Sequence, residues 1–457
     1  MNKDLEKTLE TSLSIFLTRY FFELDKRGVK YCVIGNFNKL PYYTDNDVDI
    51  WVSDISVAKR MLNYVTRTHD FSTLLWNVTS NGVNCFIEAK DNSIIHIDLL
   101  KNVSWRSFVP IISRQKLAQN IDSVNGLKVA SHSITTLGHL IYPLLTFGDV
   151  KEKYRSNIIV SCKSSQYFND LISDLVGVKL GKKIVKNVLC QDWDGLRSVS
   201  LSIKFHLLVK FILTHPYQAV SEMVKLVFYN IRKVIKPSGI CIAFVGTDGS
   251  GKSTMIKQLM PIISKVQVKE NSRTLYWRPF ILPKISHVLP IKTRKITPKN
   301  EVSFIKKVPK FNKIASGLKF SYYLIDYMLG GIIVKFLVAR GGIVLYDRHY
   351  DDLLVYPERF GMTLPKCLVR LCRVILPQPD FVLYLKCSTE ELTKRKREIF
   401  DEELKRQVTE YSHLESSLNN FHSINAEAPI QDVVLNVKKI VFDALKKNAK
   451  KSLKLLG

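Results

Sequence analysis

The sequence is short of several features that would set its class at once. Its eight cysteines, at positions 32, 85, 162, 190, 241, 367, 372 and 387, include no C-x-x-C pair, and several stand in apolar runs. Their spacing excludes the common redox motif and predicts buried free thiols of a reducing compartment rather than a disulfide scaffold. Cys/His spacing for zinc is lacking, as is any Ser/His/Asp arrangement, internal repeat or low-complexity tract. The opening MNKDLEKTLETS alternates acids and bases, without the basic start and apolar core of a signal peptide. Long, purely apolar runs are missing too. Val129–Gly148 holds Ser131, His132, Ser133, Thr135, Thr136, His139 and Pro143, and the apolar stretch Ser321–Tyr346 is interrupted by Asp326, Lys335 and Arg340. Both are too polar for an uninterrupted spanning segment. These absences predict a cytoplasmic chain, at most peripheral to the inner face of a membrane.

Acid is the other shortage. The 457 residues carry 41 Asp+Glu against 68 Lys+Arg, a net charge of +27. Such a length predicts about three domains, and 46% hydrophobic with 24% charged residues is ordinary for a globular chain. A mostly disordered, collagenous or coiled-coil protein is excluded. The basic surplus favours an anionic partner, and it is uneven: residues 1–130 are net +2, residues 131–236 net +8 and residues 237–457 net +17.

The first of these regions has helical periodicity over Leu5–Arg27, then strand-like runs at Tyr31–Ile34, Val48–Val52 and Ser93–Leu100. The second reads as helices at Ile134–Leu145, Tyr167–Val176, and Val199–Val234 with a break at Pro216. Pro237-Ser238-Gly239 punctuates the chain. Beyond it, Ile240–Val245, Arg273–Trp277, Gly342–Tyr346 and Phe381–Leu385 are apolar runs separated by helical patterns. Continuous apolar strands alternating with helices predict a doubly wound parallel α/β sheet. The domains expected are 1–130, a helical connector 131–236, and 237–457.

Gly246-Thr247-Asp248-Gly249-Ser250-Gly251-Lys252-Ser253 matches G-x-x-x-x-G-K-[ST] at every fixed position. Glycines let successive backbone N–H groups converge on a phosphate, and the helix expected over Thr254–Ile263 adds its dipole. Lys252 is expected on the β/γ-phosphates of ATP and Ser253 on Mg²⁺. Asp347-Arg348-His349-Tyr350 closes a buried strand at the sheet edge where ligands of such folds collect. Ser388 caps a helix ending in Lys394-Arg395-Lys396-Arg397, a basic cluster placed to neutralise phosphate charge.

Residues 237–448 resemble the thymidylate kinase family: the phosphate loop with Asp248 inside it, Asp-Arg-His at 347–349, the strand Pro379–Leu385, the basic lid, and Phe421–Asn425 before a last helix. The resemblance implies an ATP- and Mg²⁺-dependent kinase. It places the nucleotide on Gly246, Asp248, Gly249, Ser250, Gly251, Lys252, Ser253 and Thr254, and metal at Ser253 and Asp347. Arg348 would clamp the acceptor, with Arg395 and Arg397 as lid arginines. Three segments depart from the family: Val245 replaces its usual Glu, Tyr276–Phe280 replaces R-E-P-G-G-T, and Tyr350–Pro357 replaces its base-holding pattern. This variant looks more like thymidylate-kinase-like proteins of bacterial surface polysaccharide pathways. The acceptor expected is therefore a nucleoside monophosphate or a sugar or glycan hydroxyl.

The N-terminal region has a constellation of its own. Asp47 and Asp49 are two apart, so in a strand both project from one face, and Asp98 on a neighbouring strand would complete a three-carboxylate cluster for Mg²⁺. With the turn at Gly35-Asn36, residues 35–100 resemble the nucleotidyltransferase superfamily. That implies an α+β domain with Gly35 and Asn36 at the triphosphate and Asp47, Asp49 and Asp98 as catalytic metal ligands. A metal-dependent nucleotidyltransferase is thus the alternative activity. A nucleotide-gated anion- or membrane-binding module is a third.

Residues 284–319 hold ten basic residues and one acid. With Pro290, Pro298 and Pro309, they are expected to form a loop-rich insertion that contacts a polyanion or membrane. The tail lysines 446–454 read as a solvated helix end. Nucleic acid is not required as a partner, and a homo-oligomer is left open.

Overall fold

The computed structural model describes residues 11–35, 37, 39–44, 47–69, 71–79, 81–106, 109–266, 272–283, 313–395 and 401–453. They fall into two compact units, Met1–Arg232 with Ala449–Gly457, and Lys233–Asn448. Asn36, Arg397, Lys454 and nearly all of the basic insertion lie outside the described residues.

The N-terminal unit is built on β1 (Tyr31–Ile34), β2 (Val48–Val52), β3 (Ser72–Val78), β4 (Gly82–Glu88), β5 (Ile94–Leu100), β8 (Ile121–Val124) and β9 (Leu127–Ala130). These form one mixed sheet in the order β3-β4-β5-β2-β1-β9-β8, while β6 (Val103–Trp105) and β7 (Val109–Ile112) make a separate hairpin. The period of two divides its side chains cleanly. Tyr31, Val33, Ile50, Ile97 and Leu99 enter one core with the helices Ser12–Asp25 and Ile55–Thr68. Cys32 and Trp51 face the other way, into a core shared with the hairpin and with Ile134, Phe168, Ile184, Ile203 and Phe211. The helices after residue 131 therefore pack on this sheet. Local chemistry sets the helix starts: Thr11 accepts the Ser14 N–H, and the Asp54 carboxylate accepts those of Ser56 and Val57.

The C-terminal unit is a five-stranded, wholly parallel sheet in the order β11-β12-β10-β13-β14, comprising β10 (Ile240–Val245), β11 (Arg273–Tyr276), β12 (Ile343–Asp347), β13 (Phe381–Lys386) and β14 (Phe421–Asn425). Every residue of β10 and β12 is buried, which accounts for the apolar runs Ile240–Val245 and Ile343–Tyr346. This is the mixed α/β, parallel-sheet architecture expected from the apolar runs.

One expectation is corrected here. The loop predicted to reach residue 319 stops earlier, because a 27-residue helix, Lys313–Ala339, begins four residues past Pro309. It contains Asp326 and Lys335, two of the charged positions read above as interruptions, and Arg340 follows its last residue. By length and composition it could cross a membrane, with a mean hydropathy of 1.5, and 39% of that window is buried. It packs on β10 and β12, and its Asp326 is fully buried in an ion pair with Arg278 at 3.0 Å. Such burial answers how an acid sits in an apolar helix: its charge is paired inside the protein. All eight cysteines are free, and six of them are buried.

Candidate functional site

Central strand β10 runs into the glycine loop, and the geometry there is backbone geometry. Gly246, Gly249 and Gly251 adopt φ of 142°, 85° and 86°, values that L side chains rarely reach. A Cβ on Gly246 would meet the Leu385 carbonyl and the Ser250 hydroxyl at 3.2 Å. Gly251 is the N-cap of the helix Lys252–Ile263, so the free N–H groups of its first turn face the loop. Lys252 is buried and bends back over the loop, donating to the carbonyls of Gly246 at 2.9 Å and Thr247 at 2.6 Å and to Ser250 Oγ at 3.2 Å. Burial, and next the Arg348 guanidinium, bring its ammonium down to about 7, against the pull of Asp352 and Asp347.

The end of β12 supplies the acids and a base. Ser253 Oγ donates to Asp347 Oδ2 at 2.6 Å, which joins the two residues expected at the metal. A hydroxyl and a carboxylate are hard oxygen donors of the kind Mg²⁺ takes. A cleft of 490 Å³ opens beside them, lined also by Lys257 and Thr274. Arg348 has φ 72°, a left-handed value held by its N–H bond to the Phe244 carbonyl at 2.9 Å. That conformation turns its guanidinium onto Asp248 of the loop, which Arg359 also contacts. Asp352 lies 3.6 Å from Arg348 and accepts the Tyr411 hydroxyl at 2.6 Å. Burial pushes the Asp352 carboxyl up, against Arg348 and Tyr411. His349 is buried, with Nδ1 3.0 Å from Asp351 Oδ2, and Arg373 meets the other Asp351 oxygen at 2.5 Å. Burial opposes the Asp351 charge, yet His349 and Arg373 hold its carboxyl below the usual range. His349 thus orients Asp351.

Arg395 lies in the helix Thr389–Arg395. Its guanidinium donates to Glu391 and, at 2.9 Å, to the Ala426 carbonyl, and it lines a 130 Å³ cavity with Ser250, Gly251, Met255 and Ile430. Thr254 is exposed on the first turn of the loop's helix. The replaced segment after β11 is turned inward. Trp277 stacks on Phe360 with ring centres 4.2 Å apart, and Arg278 is 2% exposed. Sequence reasoning missed Asp352, Tyr411, Arg359 and Arg373. The adjacent pair Asp351-Asp352 after the Asp-Arg-His run was the available signal, since two acids seldom enter so apolar a stretch without partners.

In the N-terminal unit, parallel pairing of β2 with β5 sets Asp49 directly opposite Asp98. Oxygens of Asp47, Asp49 and Asp98 lie within 4.8 Å of one another. The period of two puts Asp49 and Asp98 on the face carrying Trp51, that of the later helices. Gly35, at φ 93°, lies beside this cluster, where a Cβ would stand in ordinary contact with Asp49 Oδ2 at 3.9 Å. Three carboxylates at this spacing suit a hard divalent cation. His96, two residues before Asp98, was not singled out from the sequence; its Nε2 is 3.0 Å from Asn84 Oδ1. Burial lowers the His96 imidazole, against the opposing pull of Asp47.

No protein-family model matches the chain. A thymidylate kinase from Dictyostelium discoideum is 28% identical over 168 residues, which are 36% of this chain and 65% of that protein, so the chain spans a little under two thirds of this curated relative. That similarity supports a P-loop kinase-like region. Among solved structures, a thymidylate kinase from Candida albicans is 16% identical, covering 46% of this chain and 93% of its own, with a TM-score of 0.34. One from Ehrlichia chaffeensis is 17% identical, covering 45% and 99%, with a TM-score of 0.31.

Proposed function

We propose that the C-terminal unit is a phosphotransferase that moves the γ-phosphoryl group of ATP to an acceptor, a nucleoside monophosphate or a sugar or glycan hydroxyl. The observation that carries this reading is the joining of the glycine loop to Asp347 through Ser253 and to Arg348 through Asp248. Loop N–H groups and the helix N-terminus bind and orient the phosphates. Lys252, already buried among carbonyl oxygens, would exchange those contacts for the β- and γ-phosphates. Ser253 and Asp347 would hold Mg²⁺, which would supply positive charge to offset that of the phosphates. Arg348 is fixed by Asp248 and Asp352 at the edge where the acceptor must approach, and Arg395 borders the cavity beside the loop. Positioning and charge stabilisation are what phosphoryl transfer asks of a protein.

The relative's acceptor does not carry over simply, because Trp277–Phe360 stacking and the buried Arg278 occupy the segment that differs from the thymidylate kinase pattern. The N-terminal unit supports a second reading, a metal-dependent nucleotidyltransferase, on the convergence of Asp47, Asp49 and Asp98. The test of the first reading is ADP release from ATP and Mg²⁺ across a panel of nucleoside monophosphates, sugars and oligosaccharides. Acceptor-dependent ADP release supports it. ATP binding without turnover on any acceptor opposes it and favours a nucleotide-gated binding module.

A further inference from the structure

Two consecutive helices turn apolar side chains away from the protein. In the helix Ser200–Thr214, Ile203, Leu207 and Phe211 pack inward, while Leu201, Phe205 and Leu213 are exposed. The helix Pro216–Ile235 carries the pattern further. Its buried residues are Ala219 and Glu222, whereas Tyr217, Val220, Val224, Val227, Phe228 and Ile231 are from 55% to 92% exposed. Their spacing of three and four residues draws one continuous stripe along the side opposite Glu222. Amphipathic helices of soluble proteins bury such a stripe, and a contiguous exposed one marks an interaction surface.

The charges around the stripe identify the partner. Residues 199–236 contain Lys204, Lys210, Lys225, Arg232, Lys233 and Lys236 against a single acid, Glu222, with Lys210 turned back onto the Asp174 and Leu175 carbonyls. Glu222 is buried, and Lys225 donates to it at 2.7 Å. At 100° per residue, Lys225 and Arg232 fall along one border of the stripe. A second copy seated on this face would bring one basic border against another, an arrangement that like charges disfavour. An anionic bilayer is complementary to both features. It takes the apolar stripe at the acyl boundary and the lysine and arginine heads among the lipid phosphates.

We propose that the helices Ser200–Thr214 and Pro216–Ile235 form an interfacial docking surface for an anionic lipid bilayer, with Pro216–Ile235 lying in the plane of the interface. The helix is not a span, because Glu222, Lys225, Asn230, Arg232 and Lys233 interrupt it. This surface is independent of the kinase reading.

The test is co-sedimentation of the full chain with vesicles of phosphatidylcholine alone and of an equal mixture with phosphatidylglycerol. Binding is expected to the mixed vesicles only, and to fall with added salt. The double variant Val224→Glu/Phe228→Glu, which alters exposed side chains and is checked by thermal unfolding, should lose about tenfold or more of that binding. Arg232→Gln, which leaves the Lys225–Glu222 pair intact, should lose less and blunt the salt dependence. Equal binding by the wild type and Val224→Glu/Phe228→Glu overturns the proposal. So does absence of vesicle binding, whether or not sedimentation velocity shows a dimer that Val224→Glu/Phe228→Glu dissociates.

Discussion

The two units gather opposite charges on the inner strands of their sheets. At the end of β10, backbone N–H groups, Lys252 and Arg348 gather positive potential. At the join of β2 and β5, Asp47, Asp49 and Asp98 gather negative charge within 4.8 Å. The regional charges follow the same division, net +2 over residues 1–130 and net +17 over 237–457. The contrast teaches that a basic total says little about a given site. On the proposed reading, the glycine loop in the basic region would meet phosphate directly, and the carboxylate cluster in the nearly neutral one would do so only through a cation.

The largest effect that can break this comparison is at the loop. Lys252→Ala should lower kcat/KM for phosphoryl transfer about 10³-fold, while Asp49→Asn leaves it unchanged, as read by initial rates at saturating Mg²⁺. A comparable loss in both variants would mean that the two sites act as one.

Next comes the ion pair that holds the segment after β11. Asp326→Ala strands the buried Arg278 and should cost the chain about 3–5 kcal/mol in denaturant unfolding. Asp326 also accepts the N–H groups of Phe280 and Leu282, so the segment after β11 should loosen with it. A neutral result would remove this pair from the account of how that segment is held.

The acidic site is sharpened by metal titration. Mn²⁺ should raise the unfolding temperature of Lys252→Ala, in which the loop is disabled, and Asp49→Asn in that background should weaken the effect about tenfold or more in Mn²⁺ concentration. No response to Mn²⁺ in Lys252→Ala would make the carboxylates a surface feature.

The smallest effect is on pH. Burial lowers the free Lys252 ammonium to about 7, and phosphates must raise it again. Nucleotide binding above pH 7 should therefore take up a proton, and affinity should fall by up to about tenfold per pH unit there. Calorimetry in buffers of different ionisation enthalpy reads the uptake; proton release would reverse the sign.

Much of this was legible from the chain. The loop could be read because glycine reaches the required φ with the least strain, so the backbone demand is written at fixed positions, and the apolar runs of β10 and β12 announced a two-sided parallel sheet. The three aspartates were readable from the period of two, yet the pairing of β2 with β5 that sets Asp49 against Asp98 was not local information. Contacts across long separations stayed hidden for the same reason: Arg278 with Asp326, Tyr411 with Asp352, and Arg359 with Asp248. The start of the helix at Lys313 was obscured by three upstream prolines, which forbid helix where they stand but say nothing of the residues beyond.

The most direct test of the central claim is mass analysis of the products formed from γ-labelled ATP, Mg²⁺ and the acceptor panel by the wild type, Lys252→Ala and Asp49→Asn. Transfer of labelled phosphoryl to an acceptor, with ADP as co-product, lost in Lys252→Ala and kept in Asp49→Asn, is the predicted result. Labelled pyrophosphate with a nucleotidylated product, kept in Lys252→Ala and lost in Asp49→Asn, would contradict it.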